Sequence, residues 1–326
     1  MKNNILITGV TGFVGSHMAD YILKNTDDKI YATKRWMEDT KNVQHLIDHP
    51  RLSFVDCDLL DGLSVDRAVK LSKPHKVFHF AAQSFPEISF KTPVITLQTN
   101  IIGTTHLLES IKNNDCDPLV VSVSSSEVYG NPTRDEIPIK ETNPIRPANP
   151  YSISKVGHDL MSRYYYDAYR MKIITTRMFS HEGPRRGKEF ALSSFAYQIA
   201  KAELSDNPEN WTVFHGNLDS VRTYSHIDDA IEAYWLCSEA LSERWGNVYN
   251  IGGDYTCTVG DALDILISKS KKPFKKILDP ERVRPTDITL QIPDSSKFRS
   301  DFNWRPIKSI EDICEDLLNY WRAKLS

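Results

Sequence analysis

Tyr151 and Lys155 stand four residues apart in Pro150-YSISK, and Ser125 and Glu127 stand two apart in the earlier stretch SSSEVYG. On a helix, residues i and i+4 share a face, so phenol and ammonium would meet the same reactant. The ammonium stabilises a tyrosinate and lowers the phenol pKa toward the operating range, as a general base requires. Ser125 falls at the end of an expected strand, where its hydroxyl can bond the same substrate oxygen. If SSSE stays extended, Glu127 shares a face with Ser125. Such a set can deprotonate an alcohol as its hydride leaves and then remove a second proton beside the new ketone. For Glu127 another reading stands alongside: a cap that orients the loop ending in Tyr129-Gly130.

The hydride needs an acceptor, and the N-terminus supplies a candidate site. Gly9, Gly12 and Gly15 form G-x-x-G-x-x-G between an expected strand (3–8) and an expected helix (13–24). The first glycine permits a tight turn, the second lets backbone approach a pyrophosphate, and the third allows close helix packing. The helix N-terminus adds amide donors. Thr11, Phe13 and Val14 belong to the same dinucleotide-binding turn. At the end of the second strand, where NAD would call for a carboxylate, stand Lys34 and Arg35. They favour the 2′-phosphate of NADP over NAD; the alternative is a solvated pair of charges. Asp58 is placed to accept from the adenine amino group. Leu59 beside it, and Ala81 and Ala82 after the fourth strand, complete the expected cofactor contacts.

On a hexose, oxidation at C4 acidifies the C5 proton, because the carbanion is delocalised into the ketone. Glu127 near C5 could take that proton, an adjacent acid could protonate the leaving C6 hydroxyl, and the reduced cofactor would return hydride to C6. The product is a 4-keto-6-deoxy sugar with the cofactor recycled.

Apolar strands at 3–8, 30–34, 52–59, 76–82, 118–125 and 172–179 alternate with helical lengths at 13–24, 62–72, 93–113 and 151–170. That rhythm predicts an α/β fold, a Rossmann-type doubly wound parallel sheet covered on both faces. After residue 180 the pattern loosens: a helix near 190–204, shorter strand-like runs, and a final helix near 310–323. We expect a cofactor domain over 1–180 and a smaller mixed substrate-binding region over 181–326, with segments crossing back.

The chain has 326 residues, 40% hydrophobic and 25% charged, with a formal net charge of -3, which gives no electrostatic reason to expect nucleic acid. No apolar run approaches a membrane span, and the start lacks a signal-peptide pattern. Five cysteines without ligand spacing read as buried, reduced thiols of a cytoplasmic protein. His75 and His79 give no metal signal, and no metal is expected.

The stretches TGVTGFVGSH, DCDLLD, FHFAAQSFPEISF, SSSEVYG, NPYSISK, FSHEGPRRG, GNLDSVRTYSHIDDAIEAYW and RPTD resemble an extended short-chain dehydrogenase/reductase. The nearest branch is that of the GDP-mannose 4,6-dehydratases and related GDP-4-keto-6-deoxy-mannose reductases. The resemblance implies Tyr151 as base of the oxidation, Lys155 as its partner, Ser125 at the family's Ser or Thr, and Glu127 as the C5 base. It places Gln83 and Ser84 near nicotinamide and hexose, and His181, Arg185 and Arg186 near cofactor and diphosphate. Ser180, Lys188, Arg222 and Arg284 would meet the sugar nucleotide, and Asp287 its nucleoside. Paired guanidiniums suit a diphosphate because their planar forks match its oxygens.

Three positions and one loop depart from the dehydratase pattern: Ser125 for threonine, Ser180 for asparagine, Thr223 for aspartate, and WMEDTKN for a longer serine-rich loop where subunits meet. A homodimer is therefore expected, with a tetramer as the alternative. The implied activity is that of a lyase on GDP-mannose or a manno-configured relative such as a GDP-heptose. An NADPH-dependent reductase or epimerase of a 4-keto nucleotide sugar is the alternative. A non-enzymatic redox sensor is disfavoured, because both Tyr151 and Lys155 are present.

Overall fold

A computed structural model describes residues 2–283 and 286–326. Strands β1 (Asn4–Thr8), β2 (Lys29–Lys34), β3 (Leu52–Asp56), β4 (Lys76–His79), β5 (Leu119–Val123) and β6 (Ile173–Met178) come first. They are followed by β7 (His181–Glu182), β8 (Thr212–His215), β9 (Val221–His226), β10 (Val248–Ile251), β11 (Tyr255–Thr258), β12 (Lys275–Leu278) and β13 (Leu290–Gln291). The helices are α1 (Phe13–Asn25), α2 (Gly62–Ser72), α3 (Pro86–Lys91), α4 (Pro93–Leu97), α5 (Gly103–Asn113), α6 (Pro150–Tyr169), α7 (Ala191–Glu203), α8 (Ile227–Cys237), α9 (Val259–Ser268), α10 (Ser296–Phe302) and α11 (Ile310–Leu325).

The chain forms two compact units. One holds the stretch ending at Gly130 with Pro144–Met178 and Ile231–Asn250; the other holds Asn131–Asn143, Phe179–Ala230 and Ile251–Ser326. In the first unit a seven-stranded sheet runs β10-β6-β5-β4-β1-β2-β3, parallel in its β1–β2, β1–β4, β2–β3, β4–β5 and β5–β6 pairs. The expected Rossmann order is present, and strand order reverses at β1, where such sheets bind ligands at their carboxyl ends. Ile5, Leu6 and Ile7 have no exposed surface, which explains why β1 is a continuous apolar run.

Strands β3 and β4 stop at Asp56 and His79, earlier than the expected 59 and 82, so Cys57-Asp58-Leu59 and Phe80-Ala81-Ala82 are loops at the carboxyl edge. The single helix expected over 93–113 is interrupted by a π turn at Gln98–Ile102. That wider turn holds Asn100, whose side chain accepts from Gln83 N at 2.8 Å and donates to Gln83 O at 2.9 Å.

The second unit has β9 flanked by β11 and β13, with β7 also paired to β9, and a separate parallel pair of β12 and β8. Its core lies among α7, α9 and α11. Along α11, Ile310, Ile313, Cys314, Leu317 and Leu318 are buried at i, i+3, i+4, i+7 and i+8, one apolar stripe. Ser309 starts it with a capping box, accepting from Asp312 N at 3.1 Å while Asp312 accepts from Ser309 N at 2.8 Å. Helices α3, α8, α9 and α10 are not among the elements expected from the sequence, although α9 buries Val259, Ala262, Leu263 and Leu266 at i, i+3, i+4 and i+7.

Cys57, Cys237, Cys257 and Cys314 are buried as expected of free thiols, but Cys116, in the loop between α5 and β5, is partly exposed. No helix among the described residues is long and apolar enough to cross a membrane.

Candidate active site

The glycine turn is built for close backbone approach. Gly9 has φ +72°, and a Cβ there would lie 2.8 Å from Ala81 Cα. A Cβ on Gly15 would lie 2.3 Å from Gly9 O, so this helix packs where only glycine fits. Gly12 is the N-cap of α1 and provides no side-chain cap, and a helix N-terminus suits an anion. Thr8 Oγ1 accepts from Ala81 N at 3.1 Å, tying the ends of β1 and β4 where the strand order reverses. These features fit a dinucleotide pyrophosphate.

Beyond the turn, a cavity of about 500 Å³ is lined by residues including Arg35, Glu38, Asp56, Asp58 and Arg67. Asp58 is exposed there and already accepts from Leu60 N at 2.9 Å, whereas Leu59 is buried. Lys34 pairs with Asp56 at 2.6 Å, and Arg35 with Glu38 at 3.1 Å. Both basic groups expected at a 2′-phosphate therefore already face carboxylates. Glu38, four residues past the strand, escaped the sequence reading because the expected acidic position was at the strand end.

Ser125 keeps extended backbone, but SSSE does not stay extended. Ser126–Tyr129 is a 3-10 turn whose N-cap is Ser125, and Ser125 Oγ accepts from Glu127 N at 3.2 Å. A hydroxyl two residues before an amide competes well with strand geometry. Gly130 closes the turn at φ +61°, where a Cβ would lie 1.9 Å from Arg146 O. Ser125, not Glu127, is the cap. Strand alternation therefore does not hold the Glu127 side chain. Instead its Oε2 accepts from Asn149 Nδ2 at 3.0 Å.

Asn149 is also the N-cap of α6, accepting from Ser152 N at 2.8 Å. Pro150 occupies the first helical position, where its missing N–H costs nothing. Tyr151 follows, 8% exposed, and Lys155 lies one turn later, 4% exposed. Lys155 Nζ donates to Val123 O at 2.7 Å. Burial pushes the lysine pKa down to about 8, with the Asp159 charge opposing. Ser125, Glu127, Tyr151 and Lys155 thus sit on two adjoining segments of one unit, the end of β5 and the start of α6.

Behind Lys155 lies a buried polar layer. His79 stacks on His158 with centroids 5.3 Å apart, and Thr104 Oγ1 lies 3.0 Å from one ring and 2.8 Å from the other. Burial, then the Lys155 charge, pushes His79 down to about 3 and holds His158 well below its usual range, so both rings are neutral. Asp159 forms a buried two-pronged pair with Arg177 at 2.8 and 3.1 Å. Gln83 and Ser84 follow β4; Ser84 is exposed, and Gln83 Nε2 donates to Thr96 Oγ1 at 3.0 Å.

In the second unit, Ser180 O accepts from Ser225 N at 3.0 Å, and His181 Nδ1 bonds Phe179 O at 3.0 Å. Burial and the nearby Arg186 charge push His181 down to about 3. Arg186 lies 3.6 Å from buried Glu182, whose pKa burial raises to about 6 despite that charge. The Arg186 guanidinium also covers the Phe190 ring at 3.5 Å. Lys188 is exposed, with its ammonium 5.3 Å from the Tyr197 ring centroid. Arg222 and Asp287 come together at 3.9 Å, and Asp287 also accepts from Asn217 at 2.9 Å and Ser220 at 2.8 Å. Arg284 lies outside the described residues.

The family model for GDP-mannose 4,6 dehydratase matches residues 6–317. The chain belongs to that family. It is 27% identical to a GDP-mannose 4,6-dehydratase of Vibrio cholerae over 98% of this chain and 93% of that protein. The structure resembles a UDP-glucose 4-epimerase of Thermotoga maritima solved with UDP-glucose, with TM-score 0.88, 26% identity and coverage of 99% and 100%. It also resembles a dTDP-glucose 4,6-dehydratase of Bacillus anthracis in complex with NAD, with TM-score 0.83, 27% identity and coverage of 98% and 97%. An RMD of Pseudomonas aeruginosa complexed with NADPH shares the fold, with TM-score 0.82, 22% identity and coverage of 99% and 100%. The protein is thus an NAD(P)-dependent enzyme of the nucleotide-sugar dehydratase and epimerase class.

Proposed function

We propose that the protein is a nucleotide-sugar 4,6-dehydratase, acting on GDP-mannose or a close manno-configured GDP-sugar such as a GDP-heptose. The observation that carries this reading is the carboxylate of Glu127, bonded to the cap of the helix that bears Tyr151. A plain oxidoreductase or epimerase needs the phenol and the ammonium but has no use for a second base.

A bound nicotinamide would supply the acceptor for the C4 hydride and, once the C6 hydroxyl has left as water across C5–C6, its donor to C6. Tyr151 removes the C4 hydroxyl proton as phenolate, and the protonated ammonium of Lys155, one helical turn away, stabilises that anion. Ser125 donates to the C4 oxygen. Glu127 takes the C5 proton once the ketone has formed. Gly9, Thr11, Gly12, Phe13, Val14 and Gly15 would cradle the pyrophosphate, with Asp58, Leu59, Ala81 and Ala82 along the dinucleotide. Ser84 would face the hexose.

Arg222, Arg284 and Asp287 would hold the GDP moiety, with Ser180 and Lys188 near the sugar nucleotide and His181 and Arg186 near the cofactor. NADP is the proposed cofactor on the charge of Lys34 and Arg35, with NAD as the competitor because Asp56 and Glu38 already engage them. The exposed side chains of Val94, Ile95, Ile102, Ile153 and Leu160 on α4 to α6 support a homodimer.

Ser125, where dehydratases carry threonine, favours the alternative of an NADPH-dependent reductase or epimerase. Purified protein with GDP-mannose and no added reductant separates the two. A 4-keto-6-deoxy product with solvent hydrogen at C5 is expected. Turnover confined to keto sugars with stoichiometric NADPH consumption would overturn the dehydratase.

A further inference from the structure

We infer that Asn149 is a positioning residue that couples the two proton-transfer groups of the reaction, through one side-chain amide shared between them. This rests on the dehydratase reading above. Asn149 is 8% exposed, and each half of its amide has a separate duty. Oδ1 accepts from Ser152 N at 2.8 Å and so fixes the first turn of α6, where Tyr151 sits. Nδ2 donates to Glu127 Oε2 at 3.0 Å. The backbone N–H of Asn149 donates to Ser152 Oγ at 3.0 Å, closing the capping box and pinning the residue itself.

The consequences for Glu127 are chemical. It is carried by a short 3-10 turn, and its carboxylate would otherwise be free to rotate about its own torsions. The amide N–H fixes one carboxylate oxygen and so orients the group. The other oxygen is then the one available to a C5 proton. A helix cap alone does not require asparagine, since serine and aspartate cap equally well. What they lack is the N–H donor.

That difference makes the role testable without dismantling the helix. Asn149→Ser keeps a cap and removes the amide donor, leaving only a shorter hydroxyl whose oxygen is taken up by the capping bond. Asn149→Asp keeps a cap and sets a second carboxylate beside Glu127, which raises the proton affinity of the pair. The assay uses GDP-mannose in deuterated buffer, following deuterium entry at C5 and, in a single turnover, the reduced-nicotinamide absorbance that reports C4 oxidation. With the serine variant, C5 exchange falls about tenfold more than C4 oxidation, the scale of one hydrogen bond to a charged group. With the aspartate variant, the acidic limb of C5 exchange moves to higher pH by about one unit. Equal losses in both steps, or an unmoved limb with full exchange, would overturn the positioning role while leaving the dehydratase intact. Absence of C5 exchange in the wild-type protein would overturn both.

Discussion

The ammonium of Lys155 donates to the main-chain carbonyl of Val123 at 2.7 Å, holding a nearly buried cation against the strand that leads to Ser125. Burial brings its pKa from 10.5 to about 8. Between those values the unfolded chain holds more protons at this group than the folded chain does, so the stability contributed here rises with pH. Lys155→Met removes the titration. Relative to wild type, the variant is favoured most below pH 8, and its relative advantage shrinks by about 3 kcal/mol as pH climbs through the window. Urea unfolding of both proteins at several pH values measures this. A difference that does not change with pH would contradict it.

The two bases separate by step. Tyr151→Phe should lower C4 oxidation by about a thousandfold, within the usual range for a general base. Glu127→Gln should lower C5 deuterium exchange by about tenfold or more while C4 oxidation persists. If Glu127→Gln depresses both equally, the carboxylate has no C5-specific task.

Gly15 tests the dinucleotide turn. With a Cβ site 2.3 Å from Gly9 O and 2.9 Å from Val10 Cα, Gly15→Ala must push α1 off the turn. Stability should fall by about 1–3 kcal/mol, as in other overpacked sites. Dinucleotide affinity should fall with it. Calorimetric titration and thermal unfolding together check the pairing, and retained affinity would mean that the turn relaxes without loss.

Cofactor choice turns on Glu38. Its carboxylate accepts from both the Arg35 backbone, at 2.9 Å, and the Arg35 guanidinium, at 3.1 Å. A 2′-phosphate must compete with it for the same cation. Glu38→Ala should therefore raise the ratio of NADP to NAD affinity by about tenfold. An unchanged ratio would remove this pair from cofactor selection.

Local patterns carried much of the molecule. Apolar runs too short for helices, set between amphipathic lengths, identify the parallel sheet, because strands buried on both faces leave no other composition. Gly9, Gly12 and Gly15 announce the turn by their spacing, and at Gly9 and Gly15 a Cβ would meet backbone closer than 3 Å. Tyr151 and Lys155 can be paired from spacing alone, since helix geometry guarantees that i and i+4 share a face.

Tertiary structure decided the rest. The conformation of SSSE turned on whether Ser125 Oγ would accept from Glu127 N, a local competition that residue types leave balanced. The support of Glu127 came from Asn149, 22 positions away, and no periodicity links a loop amide to a carboxylate in another segment. The charges at Lys34 and Arg35 were legible, but their neutralising partners Asp56 and Glu38 emerged only when strand pairing and a turn brought them close. Sequence determined which groups the protein owns and the elements that carry them. Folding determined which atoms meet, because hydrogen bonds and ion pairs depend on distances that only the packed chain defines.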